Sequence, residues 1–181
     1  GQAGVIEPLL PAILAGSLLT QTTDHESHQD LIDDVISGAS LVSFAHTEAD
    51  ARYDLNHVAI QAKSEGDNII LNGVKTHVIN GAQVQMIVVS ARESGEIADD
   101  AGISLFLLPM NTAGVSCVGH MNVDSTAAAT ITFQDVQLDA MSRLNFSTSG
   151  FEAIETAVAH ATLAVCAEAI GAMETAKQLT I

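Results

Sequence analysis

Apolar residues follow a helical period in the first part of the chain. Over residues 4–20 and again over residues 24–37, apolar side chains recur near every third or fourth position, the spacing of one helix face. Gly38 follows the second segment, and glycine is common just beyond a helix C-terminus. The pattern therefore predicts two helices before residue 39.

The middle of the chain changes to short runs in which apolar and polar residues alternate or apolar residues cluster. Two Asn-Gly pairs punctuate these runs: Asn72-Gly73 predicts a hairpin turn, and Asn80-Gly81 is expected to close the next strand. Short turns without intervening helices favour antiparallel pairing, in a barrel or sandwich. The predicted strands cover residues 41–45, 57–63, 69–71, 84–91, 103–108, 115–118 and 130–133, with a short extension at 136–138.

From residue 150 the helical spacing returns, with apolar residues on nearly every side of the predicted helix. Such a helix is normally buried between other elements. The rest of the sequence offers few helices to cover it. We therefore expect it to belong to a helical bundle whose other members lie beyond Ile181 or in another subunit. Taken together, the elements predict an α+β fold class.

Composition narrows the possible ligands. The 181 residues include 22 acidic and only 6 basic side chains, a formal net charge of -16. This charge repels nucleic acid, which is therefore an improbable partner. A bound phosphate must be held by backbone N–H groups or by the few cations, which are Arg52, Lys63, Lys75, Arg92, Arg143 and Lys177.

The same sequence gives no sign of membrane insertion or export. No uninterrupted apolar run approaches the roughly 20 residues of a membrane span, and the N-terminus lacks the basic region of a signal peptide. Cys117 and Cys166 lie far apart and form no CxxC motif, which favours reduced thiols. We therefore predict a cytoplasmic protein that does not contact the membrane.

Histidines raise the question of a metal site. His25 and His28 stand three positions apart beside Asp24 and Glu26. A solvated helix start explains this cluster more simply, because the helix dipole favours acidic residues there. We predict no metal site.

The segment 44–54 is dense in polar residues directly after a predicted strand. Hydroxyl and backbone N–H donors at a strand end are a common setting for ligand contacts. A surface loop without a ligand explains the same residues. The pattern alone leaves both interpretations open.

This segment resembles the aromatic-x-x-Thr-Glu-Pro-x-x-Gly-Ser-Asp motif of acyl-CoA dehydrogenases, with Phe44, Thr47, Glu48 and Asp54 in register. Further features of that family follow in order over nearly the whole chain. The ordered set argues against chance similarity in an unrelated β-barrel binding or structural module. The further matches are the Gly-Asp-x-x-x-Leu-Asn-Gly-x-Lys hairpin at 66–75, the next hairpin at 79–81 and 87–92, the strands at 102–108, 114–115 and 133–136, and the helix start at 150–151.

The resemblance implies an antiparallel β-barrel or sandwich middle domain flanked by helices. By that division, residues 1–38 end an N-terminal helical domain, residues 39–144 form the middle β domain, and residues 145–181 begin a truncated C-terminal helical domain. The family reaction is α,β-desaturation of an acyl-CoA thioester with hydride transfer to FAD. Its carboxylate base lies in the C-terminal domain, so the resemblance implies that this chain alone is inactive and holds no catalytic residue.

The resemblance also implies which residues contact the flavin. The aromatic and Thr positions of the first motif face the ring, and its Ser contacts the pyrophosphate. A later Trp-x-Thr lies against the flavin, with the Thr hydroxyl reaching the flavin N5. By position, the candidate cofactor-binding residues here are Phe44, His46, Thr47, Arg52, Tyr53, His77, Val78 and Ile79.

Four of these positions depart from the family pattern: Arg52 stands for Gly, Tyr53 for Ser, His77 for Trp and Ile79 for Thr. An isoleucine side chain has no hydrogen to donate, although a backbone N–H could replace it. Arg52 could neutralise a phosphate or fill its space. The alternative is therefore a non-catalytic or FAD-free subunit of a mixed-subunit dehydrogenase. In either case we expect an acyl-CoA partner and a homo- or hetero-oligomer, a dimer or tetramer.

Overall fold

The computed structural model describes residue 2 and residues 8–66 and 68–180. The first helix, α1, runs from Leu9 to Thr20; the earlier part of its prediction, residues 4–7, lies outside the described residues. The second predicted helix divides into a 3₁₀ turn, His25–His28, and helix α2, Gln29–Ser37. Gly38 ends α2 in the left-handed conformation, with φ 76°, as expected of a glycine that stops a helix.

Eight strands follow; the first seven overlap the predicted runs, and the short β8 was not predicted. The two short strands predicted at 130–133 and 136–138 are parts of one long strand. The strands are β1 Val42–Ala45, β2 Gln61–Glu65, β3 Asn68–Ile79, β4 Met86–Arg92, β5 Ile103–Pro109, β6 Val115–Met121, β7 Ala127–Asp139 and β8 Arg143–Leu144. Helix α3, Gly150–Thr180, ends the described chain.

The strands form one open sheet in the order β6-β7-β3-β2-β4-β5-β8, with β1 paired to β4 outside this path. The predicted α+β class is confirmed, but the sheet does not close into a barrel. The predicted antiparallel pairing holds for most strand pairs, but β1 lies parallel to β4, and β2 meets β4 in a parallel pair at Gln61 and Arg92. Residues 46–85 loop away through β2 and β3 before β4 returns beside β1. Alternation along a strand is the same for either direction, so the local pattern does not reveal this return.

The predicted hairpin turn at Asn72-Gly73 is wrong, because β3 continues through it. The turn between β2 and β3 lies at Gly66, with φ 64°, next to Asp67, which is outside the described residues. Gly73 instead occupies a bulge where β3 shifts register against β7. A Cβ at Gly73 would lie 2.8 Å from the Ile60 side chain, so a close approach of backbone explains the glycine.

The core lies between the sheet, α1 and the first turns of α3. Leu18 and Leu19 of α1 and Ala153 and Ile154 of α3 are all buried in it. Beyond Ala161 the apolar side chains of α3 are exposed: Leu163, Val165, Ile170, Met173 and Leu179. By length and composition α3 passes the test for a membrane-spanning helix, and among the described residues it is the only helix to do so. The same test is met by a helix that packs among other helices, as predicted for this segment.

Candidate functional site

The loop after β1 is compact and ordered by its own turns. The backbone N–H of Ala51 donates to the carbonyl of Glu48, that of Asp54 to Ala51, and that of His57 to Asp54. At the start of the loop the rings of Phe44 and His46 stack, with centroids 5.2 Å apart and planes 9° from parallel. A strand end followed by consecutive turns therefore presents an aromatic pair and polar groups on one short segment.

A fully buried lysine fastens this loop to the sheet. The Nζ of Lys75, on β3, donates to the Glu48 carboxylate at 2.7 Å, to the His46 carbonyl at 3.0 Å and to the Ser90 hydroxyl at 3.0 Å. An ammonium group has three hydrogens, so these three acceptors use them all. Lys75 thereby joins the loop, β3 and β4 at one point.

Glu48 completes the pairing of this buried charge. Its two carboxylate oxygens accept the N–H groups of Ala59 at 2.9 Å and Ile60 at 3.2 Å, in the segment that leads into β2. Burial lowers the pKa of Lys75 from 10.5 to about 8, and the negative charge of Glu48 opposes that fall. Lys75 therefore carries its proton at neutral pH. A buried ion pair needs such additional hydrogen bonds to offset the loss of hydration.

His46 is held neutral beside this cation. Burial lowers the pKa of the imidazole from 6.5 to about 3, and the positive charge of Lys75 adds to the fall. The Nδ1 of His46 lies 2.8 Å from the Ser90 hydroxyl. Because the ammonium of Lys75 donates to that hydroxyl oxygen, the Ser90 hydrogen is free to donate to Nδ1. This arrangement suits a neutral ring with an unprotonated Nδ1.

The second group of predicted residues lies at the end of β3, next to the loop. The N–H of Thr76 donates to the carbonyl of Thr47 at 2.8 Å. His77 follows in a left-handed conformation, with φ 51°, where β3 bulges between Lys75 and Val78. The structure therefore brings Phe44, His46 and Thr47 beside β3 residues 75–77, which the sequence separates by some thirty positions.

The remaining members of this group differ in exposure. The Val78 side chain is buried, and the Ile79 side chain is half-buried. The carbonyl of Ile79 accepts a 2.5 Å hydrogen bond from the Ser43 hydroxyl. The exposed ring of His77 lies 6.2 Å from that of His120, which carried no signal in the sequence. Within the described residues, no group of three or more His, Cys, Asp or Glu side chains has a metal-binding arrangement.

Arg52 and Tyr53 lie at the exposed end of the loop, apart from this network. Tyr53 is 98% exposed, and Arg52 forms no ion pair with the described residues. Arg52 has φ 52°, a conformation that glycine adopts without strain and arginine rarely adopts. The backbone thus keeps the conformation that suits glycine, while the side chain is large and charged.

Three central residues of the site were not predicted as functional: Glu48, Lys75 and Ser90. Glu48 and Lys75 both match the resemblance in register, and a cation and an anion at two matched positions are a signal for an ion pair. Ser90 lies inside an apolar strand and gave no such signal. Lys75 is also removed from the cations proposed to hold phosphate, because its donors are occupied.

Two more of those cations are engaged elsewhere. Arg92 is buried and donates to six backbone carbonyls, those of Asn56, Val58, Ser94, Ile97, Asp99 and Ala101. Arg143 pairs with Glu93. Among the described residues, the cations left accessible to an anion are Arg52, Lys63 and Lys177.

An open groove of about 470 Å³ separates the loop from α3. Leu55 contributes the loop side of this groove. The helix side is mostly apolar, and Glu155 is its only charged residue among the described ones. The α3 residues that line it are Glu155, Val158, Ala159, Thr162, Leu163 and Cys166.

Comparison with known proteins gives a consistent result. The family described as acyl-CoA dehydrogenase, middle domain, matches residues 43–139. Acyl-CoA dehydrogenase AFT10-1 of Alternaria alternata is 29% identical over 88% of this chain. A glutaryl-CoA dehydrogenase structure from Mycobacterium smegmatis is 26% identical over 95% of this chain, with a TM-score of 0.83. Another structure of a glutaryl-CoA dehydrogenase from that organism, in complex with FADH2, shares the fold at 23% identity over 82% of this chain, with a TM-score of 0.73.

The chain is much shorter than these proteins. It spans 37% of the length of AFT10-1 and 44% and 38% of the two glutaryl-CoA dehydrogenase chains. The matches therefore concern one part of a larger architecture.

Proposed function

The chain belongs to the acyl-CoA dehydrogenase family, and from this premise we propose that it is the flavin-contacting part of an oxidoreductase that desaturates acyl-CoA thioesters at the α,β position. In this proposal FAD, when bound, accepts the hydride. The chain's own residues hold and orient the cofactor. None of its acids is assigned as the base that removes the α-proton.

The chemistry of the loop fits an aromatic, anionic cofactor. Within the described residues, neither the N–H nor the hydroxyl of Thr47 donates a hydrogen bond to the protein, and the residue is exposed. The stacked rings of Phe44, which is buried, and His46, which is half-buried, lie directly before it in the chain. Arg52 supplies an accessible cation on the same loop. Phe44, His46, Thr47 and Arg52 are thus the residues that we propose to contact FAD, with Tyr53, His77, Val78 and Ile79 around them.

One observation carries this proposal: the loop is fixed from three directions while its Thr47 donors stay free. Lys75, Thr76 and Ser90 hold residues 46–48 against β3 and β4, and Ala59 and Ile60 hold Glu48. Donors fixed in place and without a protein partner are typical of a ligand site. The apolar groove between Leu55 and α3 supports acyl-CoA as the substrate, because its lining suits an acyl chain.

A second candidate function rests on the departures from the family pattern. The side chain of Ile79 offers no donor, and its carbonyl is already occupied by Ser43. Arg52 and Tyr53 place two large side chains where the family motif has Gly and Ser. These residues favour a non-catalytic or FAD-free subunit that pairs with a flavin-bearing one.

Flavin binding by the complete protein separates the two candidates. We expect the purified protein to show flavin absorbance, or to gain it after incubation with excess FAD. A protein that stays colourless and apo contradicts the first candidate. Ile79→Thr, which restores a hydroxyl, is the matched variant. If only this variant, alone or with Arg52→Gly and Tyr53→Ser, takes up FAD, the second candidate is supported.

We also propose the surroundings of the chain. The exposed apolar side chains of α3 are expected to pack against helices of a C-terminal domain that begins near residue 145, and residues 1–38 to end an N-terminal helical domain. The complete protein is expected to form a dimer or tetramer. Both cysteines are free, in keeping with a cytoplasmic or other reducing compartment.

A further inference from the structure

The peptide group that joins His46 to Thr47 is held at one end and free at the other. Its carbonyl oxygen accepts a hydrogen from the Lys75 ammonium at 3.0 Å. Its N–H, which belongs to Thr47, donates to no acceptor in the described part of the chain. A buried positive charge therefore touches the oxygen of a peptide group whose hydrogen faces no protein partner.

We propose that Lys75 is a positioning residue of the candidate flavin site, where its buried ammonium orients the His46–Thr47 peptide group and strengthens the Thr47 N–H as a donor to the bound flavin. This inference rests on the proposed function. It assigns Lys75 a role beyond stabilising the fold.

The physical basis is polarisation of the peptide group. A cation at the carbonyl oxygen draws electron density through the conjugated C–N bond, so the N–H becomes more positive. Hydrogen bonds in such a chain strengthen one another by about 10–30% each in condensed-phase estimates. The effect is larger where water is excluded, and Lys75 is completely buried.

The geometry of Lys75 suits this role because none of its hydrogens is free to shift. Glu48 and Ser90 take two of the three hydrogens, which fixes the direction of the third toward His46. Glu48 is in turn held by the N–H groups of Ala59 and Ile60. The negative charge of the Glu48 carboxylate is therefore shared between Lys75 and two backbone N–H groups.

The protonation of Lys75 makes the proposal testable without a variant. The pKa of this lysine is lowered to about 8 by burial, so it loses its proton just above neutral pH. Glu48 and His46 of the loop and Arg92 of β4 are the charged or titratable groups that face it. The pKa of His46 is about 3, so this ring does not titrate between pH 7 and 9. We expect FAD affinity to fall as the pH rises from 7 to 9.

The variant test uses the complete protein and FAD itself, titrated by flavin fluorescence. Lys75→Met keeps most of the length of the side chain and is expected to weaken FAD binding about five- to tenfold at pH 7, because the Thr47 N–H hydrogen bond to the flavin is lost when the ammonium no longer orients its peptide group. It should also abolish the pH dependence and shift the bound flavin spectrum. Glu48→Gln removes the charge that raises the pKa of Lys75, so it should lower stability and move the fall in FAD affinity to lower pH.

The outcomes separate this inference from the proposed function. If the unaltered protein binds no FAD, both are wrong. If it binds FAD with a flat pH profile between 7 and 9, if Lys75→Met binds FAD as tightly as the unaltered protein, or if Glu48→Gln leaves the pH profile where it is, Lys75 has only a structural role and this inference is wrong. Should Lys75→Met fail to fold, the pH profile and Glu48→Gln still decide.

Discussion

At the scale of single residues, the site shows how one buried charge sets the state of its neighbours. Lys75 stays protonated at neutral pH because Glu48 pairs with it, and its charge helps to keep His46 neutral. Ser90 links the two, because its hydroxyl accepts from Lys75 and shares a hydrogen bond with the Nδ1 of His46. Removing any one of these groups leaves the others with unmet hydrogen bonds in a buried setting, which is costly.

His46 predicts a dependence of stability on acidity. Its pKa is about 3 in the folded protein and 6.5 ordinarily, so between these values the unfolded chain binds a proton that the folded chain does not. Stability contributed by this group is therefore lost as the pH falls from 6.5 toward 3, by at most about 1.4 kcal/mol per pH unit.

Urea unfolding of the complete protein across this range measures the effect. His46→Gln keeps a polar group near Ser90 but does not titrate, so its stability should fall less steeply with acid than that of the unaltered protein. His25→Gln, at an exposed position, controls for the mere loss of an imidazole. Parallel curves for His46→Gln and the unaltered protein would contradict the prediction.

At the scale of elements, a glycine sets how closely α3 approaches the sheet. Gly150 begins α3 next to β5, and a Cβ built there would lie 2.3 Å from the carbonyl oxygen of Ile103. The buried face of α3 at Ala153, Ile154 and Ala157 follows directly. Glycine is needed because the backbone of α3 closely approaches the backbone of β5 at Ile103.

Gly150→Ala is expected to destabilise the protein by about 1–3 kcal/mol, because α3 must move away from β5 to make room. Gly16→Ala is the matched control: it adds the same methyl group inside α1, where no atom lies within 4 Å. That change should stabilise by about 0.5–1 kcal/mol through helix propensity. Thermal unfolding of both variants measures the contrast, and equal melting temperatures would refute the steric explanation.

At the scale of the whole molecule, the described chain has apolar surfaces that we expect further helices to cover. Apolar side chains of α3 are exposed over its second half, and the chain spans less than half the length of the relatives described above. The candidate flavin loop and the groove beside α3 are both open on one side. Completion of the site from other elements is the simplest explanation of these surfaces.

This leads to a prediction for the isolated chain. A preparation of residues 1–181 is expected to show no acyl-CoA-dependent reduction of an electron-accepting dye, because we propose that the base comes from helices outside these residues. The complete protein, assayed with the same acyl-CoA and added FAD, provides the comparison. Turnover by residues 1–181 would show that the division into domains is misjudged.

The sequence by itself determined the elements and the family. Helical spacing located α1, α2 and α3, and alternation located the strands, because both periodicities arise from local backbone geometry. The ordered motifs from Phe44 to Gly150 identified the acyl-CoA dehydrogenase family. The loop after β1 was also recognised as the candidate site, with Phe44, His46 and Thr47 near its centre.

Only the tertiary structure decided how these parts meet. The parallel pairing of β1 with β4, the passage of β3 through Asn72-Gly73 and the open sheet depend on contacts between distant segments. The same is true of Lys75, whose complete burial the local pattern of β3 does not reveal. Its burial beneath His46 and Glu48 arises because β1 and β3 come together, and local patterns carry no information about which strands become neighbours.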